Sequence, residues 1–269
     1  MKDKRVLYVS SEVIPYLPET EISSMSFEAP RMINSSGGQI RIFMPRYGNI
    51  NERRHQLHEV IRLSGMNLVI NDMDMPLIIK VASIPKERIQ VYFIDNDDYF
   101  KRKATYADEE GNLYKDNDER AIFFAKGVIE TVKKLNWAPD IIHVHGWLAS
   151  FLPLYLRNYY GSEPLFENSK IVTSVYGQGF DGALGTNTID KIRFDAIDEE
   201  ALADLEEPNY LNLMKVAIQN SDAVIIGSQD VPEDLQSYID SLSKPVLKYH
   251  KVEDFSQAYQ DFYCNDVLK

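Results

Sequence analysis

The chain is 269 residues long and 44% hydrophobic, with 29 basic against 41 acidic side chains and a net charge of −12 at pH 7. Such a composition supports a sizeable buried core, and its acidic surface, with no basic patch carrying interleaved aromatics, argues against a nucleic-acid partner. No apolar run approaches the ~18 residues that a membrane span needs, and the start, MKDKRVLYVSSEV, has no apolar signal core, so the expected setting is cytoplasmic with no membrane partner.

Residues 6–10 (VLYVS) form a short continuous apolar run, the signature of a buried parallel strand. Met25, Ala29, Met32 and Ile33 follow at helical spacing, with Pro30 expected to break or kink the helix, and SSGG at 35–38 stops it before a second strand at 40–44. From 58 to 94 the period changes to two, which predicts a β-hairpin insertion that ends in a core strand at 91–94. A polar loop at 95–117 carries Tyr99, Phe100, Tyr106 and Tyr114. It is long enough to suggest function.

Asp116 or Asn117 can cap the next helix, whose Ala121, Ala125, Val128, Ile129, Val132 and Leu135 share one face. Strands are expected at 141–145 (IIHVH), 171–176 (IVTSVY) and 223–227 (AVIIG), with a short one at 245–249. The acidic stretch 195–207 reads as a solvated helix, and 228–241 as another exposed one. At the end, Val252, Phe255, Ala258, Tyr259, Phe262 and Tyr263 line one face of an amphipathic helix. The expected organisation is an α/β, Rossmann-like domain over residues 1–250, a mostly parallel sheet with flanking helices and a β-hairpin insertion, with the helix of 251–269 packed across it.

Gly177, Gly179 and Gly182 satisfy a loose G-x-G-x-x-G, but after a late strand rather than the first, which favours a flexible loop over a dinucleotide cradle. His143 and His145 are read as pointing to opposite faces of their strand, which disfavours joint metal ligation; one is a core histidine. The other, His145 at the strand tip beside Gly146 and Trp147, either reaches a sugar hydroxyl or holds the turn. Asp97, Asp98, Asp108, Glu109 and Glu110 fit no EF-hand spacing and read as solvated. The single cysteine, Cys264, argues against a disulfide framework and a structural zinc site. No metal and no cofactor is expected.

SSEVIPY (10–16), MPRYGNI (44–50), VYFIDNDDYFKR (91–102), TYADEEGNLYKDNDERAIFFAKG (105–127), WAPDIIHVHGW (137–147) and NLMKVAIQNSDAVIIGS (212–228) together resemble the amino-terminal, starch-synthase-type domain of bacterial glycogen synthases. The resemblance implies one half of a GT-B glycosyltransferase architecture. In the family, glucose passes from ADP-glucose to an α-1,4-glucan with retention. Tyr106 falls where the family has a sugar-contacting tyrosine, and the tips near His145, Trp147 and Tyr176 would face the acceptor side of the cleft.

The departures are at the donor site. Where the family has Lys-Thr-Gly-Gly-Leu, this chain has Pro18, Glu19, Thr20, Glu21 and Ile22. Its His-Asp-Trp becomes His145-Gly146-Trp147, and its histidine and asparagine near the donor glucose align with Tyr176 and Gly177. The second Rossmann domain, which supplies the cations for the departing diphosphate, has no counterpart in these residues, and 252–267 is read as its retained crossover helix. The expectation is therefore a glucan- or protein-binding regulatory module with no catalytic residue of its own, no ADP-glucose binding, and self-association through an exposed cleft. The competing expectations are an ADP-glucose:α-1,4-glucan glucosyltransferase, active or complemented by another chain, and a distinct small-molecule enzyme.

Overall fold

A computed structural model describes residues 1–269. Its sheet is built from β1 (Arg5–Ser10), β2 (Gln39–Pro45), β3 (His58–Glu59), β4 (Met66–Ile70), β5 (Met73–Ile84), β6 (Ile89–Asp95), β7 (Ile141–His145), β8 (Lys170–Val175), β9 (Ala223–Ile226) and β10 (Val246–Leu247). The order is β10-β9-β8-β7-β1-β2-β6-β5-β3, with β4 paired to β5. From β10 to β6 every pairing is parallel, whereas β5 and its partners are antiparallel, so the period-two segment forms a hairpin insertion at one edge.

The helices are α1 (Glu21–Ser35), α2 (Glu52–His55), α3 (Asp97–Phe100), α4 (Asn117–Leu135), α5 (Phe151–Arg157), α6 (Thr188–Arg193), α7 (Tyr210–Gln219), α8 (Glu233–Asp240) and α9 (Phe255–Phe262). None is long and apolar enough to cross a membrane. The strand order reverses between β1 and β7, where Val6 sits beside Ile141 on one side and Ile40 on the other. Open parallel sheets bind ligands outside the carboxyl ends of the strands at such a switch point. That locates the candidate site between the segments after Ser10 and after His145.

Several local expectations are corrected. Helix α1 runs through Pro30 without a break: Pro30 is buried with Met25, Ala29, Met32 and Ile33, and burial of that face outweighs a proline penalty of about 3 kcal/mol. Neither Asp116 nor Asn117 caps α4 through its side chain. Asp116 Oδ1 accepts from Arg102 at 2.6 Å, and Asn117 Nδ2 donates to the Tyr106 carbonyl at 2.9 Å, so both side chains tie down the 95–117 loop instead.

The acidic stretch 195–207 is not a solvated helix. Glu199–Glu206 is a 3-10 segment with Leu202 and Leu205 in the core, and Asp195 is buried against Lys126. One contiguous apolar cluster extends from Val6 to Val267 and includes Phe255, Tyr259, Phe262 and Tyr263. These side chains of α9 and the turn after it lie over the sheet beside α1 and β10.

Candidate functional site

The site grows from the carboxyl tip of β1. Ser10 Oγ accepts from the Glu12 N–H at 3.1 Å and also meets Ser26 Oγ of α1, a local turn that folds Glu12 back under the start of that helix. Glu12 is 5% exposed. Its Oε2 accepts from Thr20 Oγ1 at 2.7 Å, and its Oε1 accepts from the Tyr106 hydroxyl at 3.0 Å and from Gln178 Nε2 at 2.9 Å. One carboxylate thus joins three segments: the β1 tip, the 95–117 loop and the loop after β8.

Thr20 is the N-cap of α1 and forms a reciprocal capping box with Ser23, whose hydroxyl also donates to the Pro18 carbonyl at 2.9 Å. The cap thus takes the N–H groups of Thr20 and Ser23, and the Glu12 carboxylate sits on the cap hydroxyl. Glu21 follows in the first turn. Desolvation and the neighbouring Asp230 push its carboxyl up, against a lowering contribution from Ser228. Pro18 and Glu19 are exposed.

The sequence-derived residues meet here, but not as open surfaces. Trp147 is 3% exposed, with its ring between Tyr106, 4.9 Å away, and Phe180, 4.8 Å away. Tyr106 also meets Tyr47 edge-on, and burial, Tyr47 and Glu12 together raise its phenol well above the usual range. Tyr176 is buried, and its hydroxyl lies 2.7 Å from His145 Nδ1. Gly227 admits that tyrosine, since a Cβ there would lie 2.5 Å from its ring.

His143 and His145 do not face opposite ways. Residues two apart on a strand share a face, and the two rings are 4.0 Å apart. Both are fully buried. His143 Nδ1 lies 2.6 Å from the Tyr263 hydroxyl and Nε2 lies 2.7 Å from Ser174 Oγ, while His145 Nε2 is buried with no partner. Desolvation holds His145 at about 3 and, with His145 alongside, His143 well below its ordinary value. Neither ring opens to the cleft, and no cluster of side chains here has the makeup of a metal site.

Gly146 has φ +80°, and a Cβ there would fall 1.9 Å from Ser11 Oγ. The chain passes so close to β1 that no side chain fits. The Gly177 loop does not open a helix as a phosphate cradle would; it turns over Trp147 and returns to α6 at Thr188. Asp108 folds onto its own loop through the N–H groups of Glu110 and Asn112, and Asp97 faces Arg46. Glu12, Gln178 and Phe180 were not anticipated. Glu12 had a readable signal, a carboxylate two residues past the first buried strand.

The starch synthase catalytic domain model matches residues 5–244. Glycogen synthases of Chlorobium phaeobacteroides and Chlorobium limicola are 35% and 39% identical over 234 and 189 residues, covering 86% and 70% of this chain and 47% and 39% of their own lengths. The catalytic domain of starch synthase IV from Arabidopsis thaliana, solved with ADP and acarbose, superposes with a TM-score of 0.74 at 16% identity, covering 92% of this chain and 51% of that one. This chain spans about half the length of the glycogen synthases it matches. With the family model covering most of its residues and the Rossmann-like half matching in fold, the chain belongs to the starch synthase catalytic domain family.

Proposed function

We propose that this domain is a glucan-binding, regulatory member of its family that takes α-1,4-glucan in the cleft between the β1 and β7 tips and does not itself bind ADP-glucose. The observation that carries the reading is the Glu12 carboxylate under the N-terminus of α1, with Glu21 in the first turn of the same helix. A helix N-terminus attracts a phosphate through its free N–H groups and dipole. Here the capping box takes the N–H groups of Thr20 and Ser23, and two carboxylates add repulsion in place of a cation. The aromatic pair Tyr106 and Trp147 suits the apolar face of a pyranose, and the acidic cleft suits a neutral ligand.

Isothermal titration calorimetry tests this with ADP-glucose, ADP and maltooligosaccharides in parallel. The expected result is heat from maltooligosaccharides alone. A micromolar dissociation constant for ADP-glucose overturns the reading and favours glucosyl transfer.

A further inference from the structure

We infer that Glu12 is the residue of this cleft that accepts the hydroxyls of a neutral pyranose, and that in the free protein the Gln178 amide holds that carboxylate in the ligand's stead. The inference rests on the glucan-binding reading and names the residue and the moving part it requires.

The three donors to Glu12 are not held alike. Thr20 is fixed by the helix cap, where its Oγ1 also accepts from the Ser23 N–H at 3.0 Å. Tyr106 is wedged between Tyr47 and Trp147, and its backbone carbonyl is bound by Asn117. Gln178 stands on a segment whose N–H groups, from residue 178 to 183, make no backbone hydrogen bond; the chain is tied at Gly177, whose N–H donates to Ser228 Oγ at 2.6 Å, and at the Ala183–Asn209 bridge, where Leu184 bonds to the Pro208 carbonyl at 2.9 Å, while Gly179 and Phe180 between them rest on the Tyr210 ring. Gly182 in this segment has φ +79° and nothing within 4 Å of where a Cβ would be. A stretch with so few backbone bonds opens at low cost.

Two side chains close it over the cleft: Gln178 on Glu12, and Phe180 edge-on to Trp147. An amide N–H donating to a carboxylate occupies the place a sugar hydroxyl would take, with the same donor role. Withdrawal of Gln178 carries Phe180 with it and frees a face of Trp147, otherwise 3% exposed, for the C–H face of a sugar ring. A hydroxyl donor from the ligand then replaces the amide on Oε1 without leaving the buried carboxylate unpaired, whereas an ionised phosphate group has no donor to offer.

The test combines calorimetry with maltotriose and maltohexaose and amide hydrogen exchange of residues 178–184, on the wild-type chain and on Gln178→Ala, Phe180→Ala and Glu12→Gln. Removal of one competing hydrogen bond should tighten maltooligosaccharide binding by about three- to tenfold in Gln178→Ala. Phe180→Ala should move affinity the same way, Glu12→Gln should weaken it by about tenfold or more, and saturating maltohexaose should speed exchange in the wild-type loop. Wild-type binding that is unchanged in Gln178→Ala, with loop exchange unaffected by ligand, overturns this inference and leaves the glucan-binding reading standing. Absence of maltooligosaccharide binding in every variant overturns both.

Discussion

The Tyr263 hydroxyl lies 2.6 Å from His143 Nδ1, a hydrogen bond across 120 residues that seats the chain's last turn on the middle strands of the sheet. Both side chains are fully buried, so the bond has no solvent substitute. Tyr263→Phe keeps the ring's packing and orphans Nδ1, which should cost about 1–3 kcal/mol. Differential scanning calorimetry should show Tm falling by roughly 2–4 °C for each kcal/mol lost in a chain of this size. A wild-type Tm in that variant would remove the hydroxyl from the account of how the terminal helix is held.

The same pair of histidines makes stability depend on pH. Desolvation lowers both folded-state values, His145 to about 3, whereas an unfolded histidine titrates near 6.5. Above about 6.5 both states are neutral and the full stability is present. Below that the unfolded chain binds protons that the folded one refuses, so stability falls as pH drops from about 6.5 towards 3, by up to ~1.4 kcal/mol per pH unit for each histidine. Urea unfolding at pH 8, 6.5 and 5.5 should show this slope, and His145→Asn should flatten it. Imidazole NMR signals of His143 and His145 that titrate between pH 8 and 5 would contradict the assignment.

The strands were legible because β1, β7 and β9 are apolar runs whose type needs no knowledge of their neighbours, and the reversal of strand order then locates the cleft. At Pro30 local propensity predicts a break, and burial on the sheet decides otherwise. The parity of the strand repeat puts His143 and His145 on one face, since an interval of two returns to the same side of the sheet. Glu12 was visible as a carboxylate at a strand tip, but its partner Gln178 is 166 positions away, and nothing in either segment specifies the other. Likewise the acidic look of 195–207 concealed a buried aspartate, because its cation lies on α4.

Gly146 offers a test of whether this turn accepts a carboxylate. Its positive φ costs any other residue about 1–3 kcal/mol, and the Cβ would collide with Ser11 Oγ besides. Gly146→Asp should therefore destabilise the chain by more than a glycine substitution at a relaxed turn does, and should leave ADP-glucose binding absent by calorimetry. Ser11→Gly in the same chain should recover part of the loss by removing the colliding hydroxyl, a coupling that a double-mutant cycle reads directly. Full additivity of the two changes would mean that Ser11 is not what excludes a side chain there.

Lys126 and Asp195 form a deeply enclosed ion pair, 2.6 Å apart with side chains 4% and 6% exposed. Lys126 Nζ also donates to the Val69 carbonyl at 2.7 Å, and the Tyr155 hydroxyl donates to the other Asp195 oxygen at 2.7 Å, so α4, the hairpin insertion, α5 and the acidic stretch meet at one point. Removal of one partner leaves a buried charge uncompensated, and Asp195→Ala should cost about 3–5 kcal/mol by urea denaturation. Replacing both charges, as Lys126→Met with Asp195→Leu, should recover most of that loss, because a dehydrated ion pair gains little over packed apolar groups of similar size. A double variant no more stable than Asp195→Ala would mean that the hydrogen bonds to Val69 and Tyr155, rather than the mutual attraction of the charges, hold these four segments together.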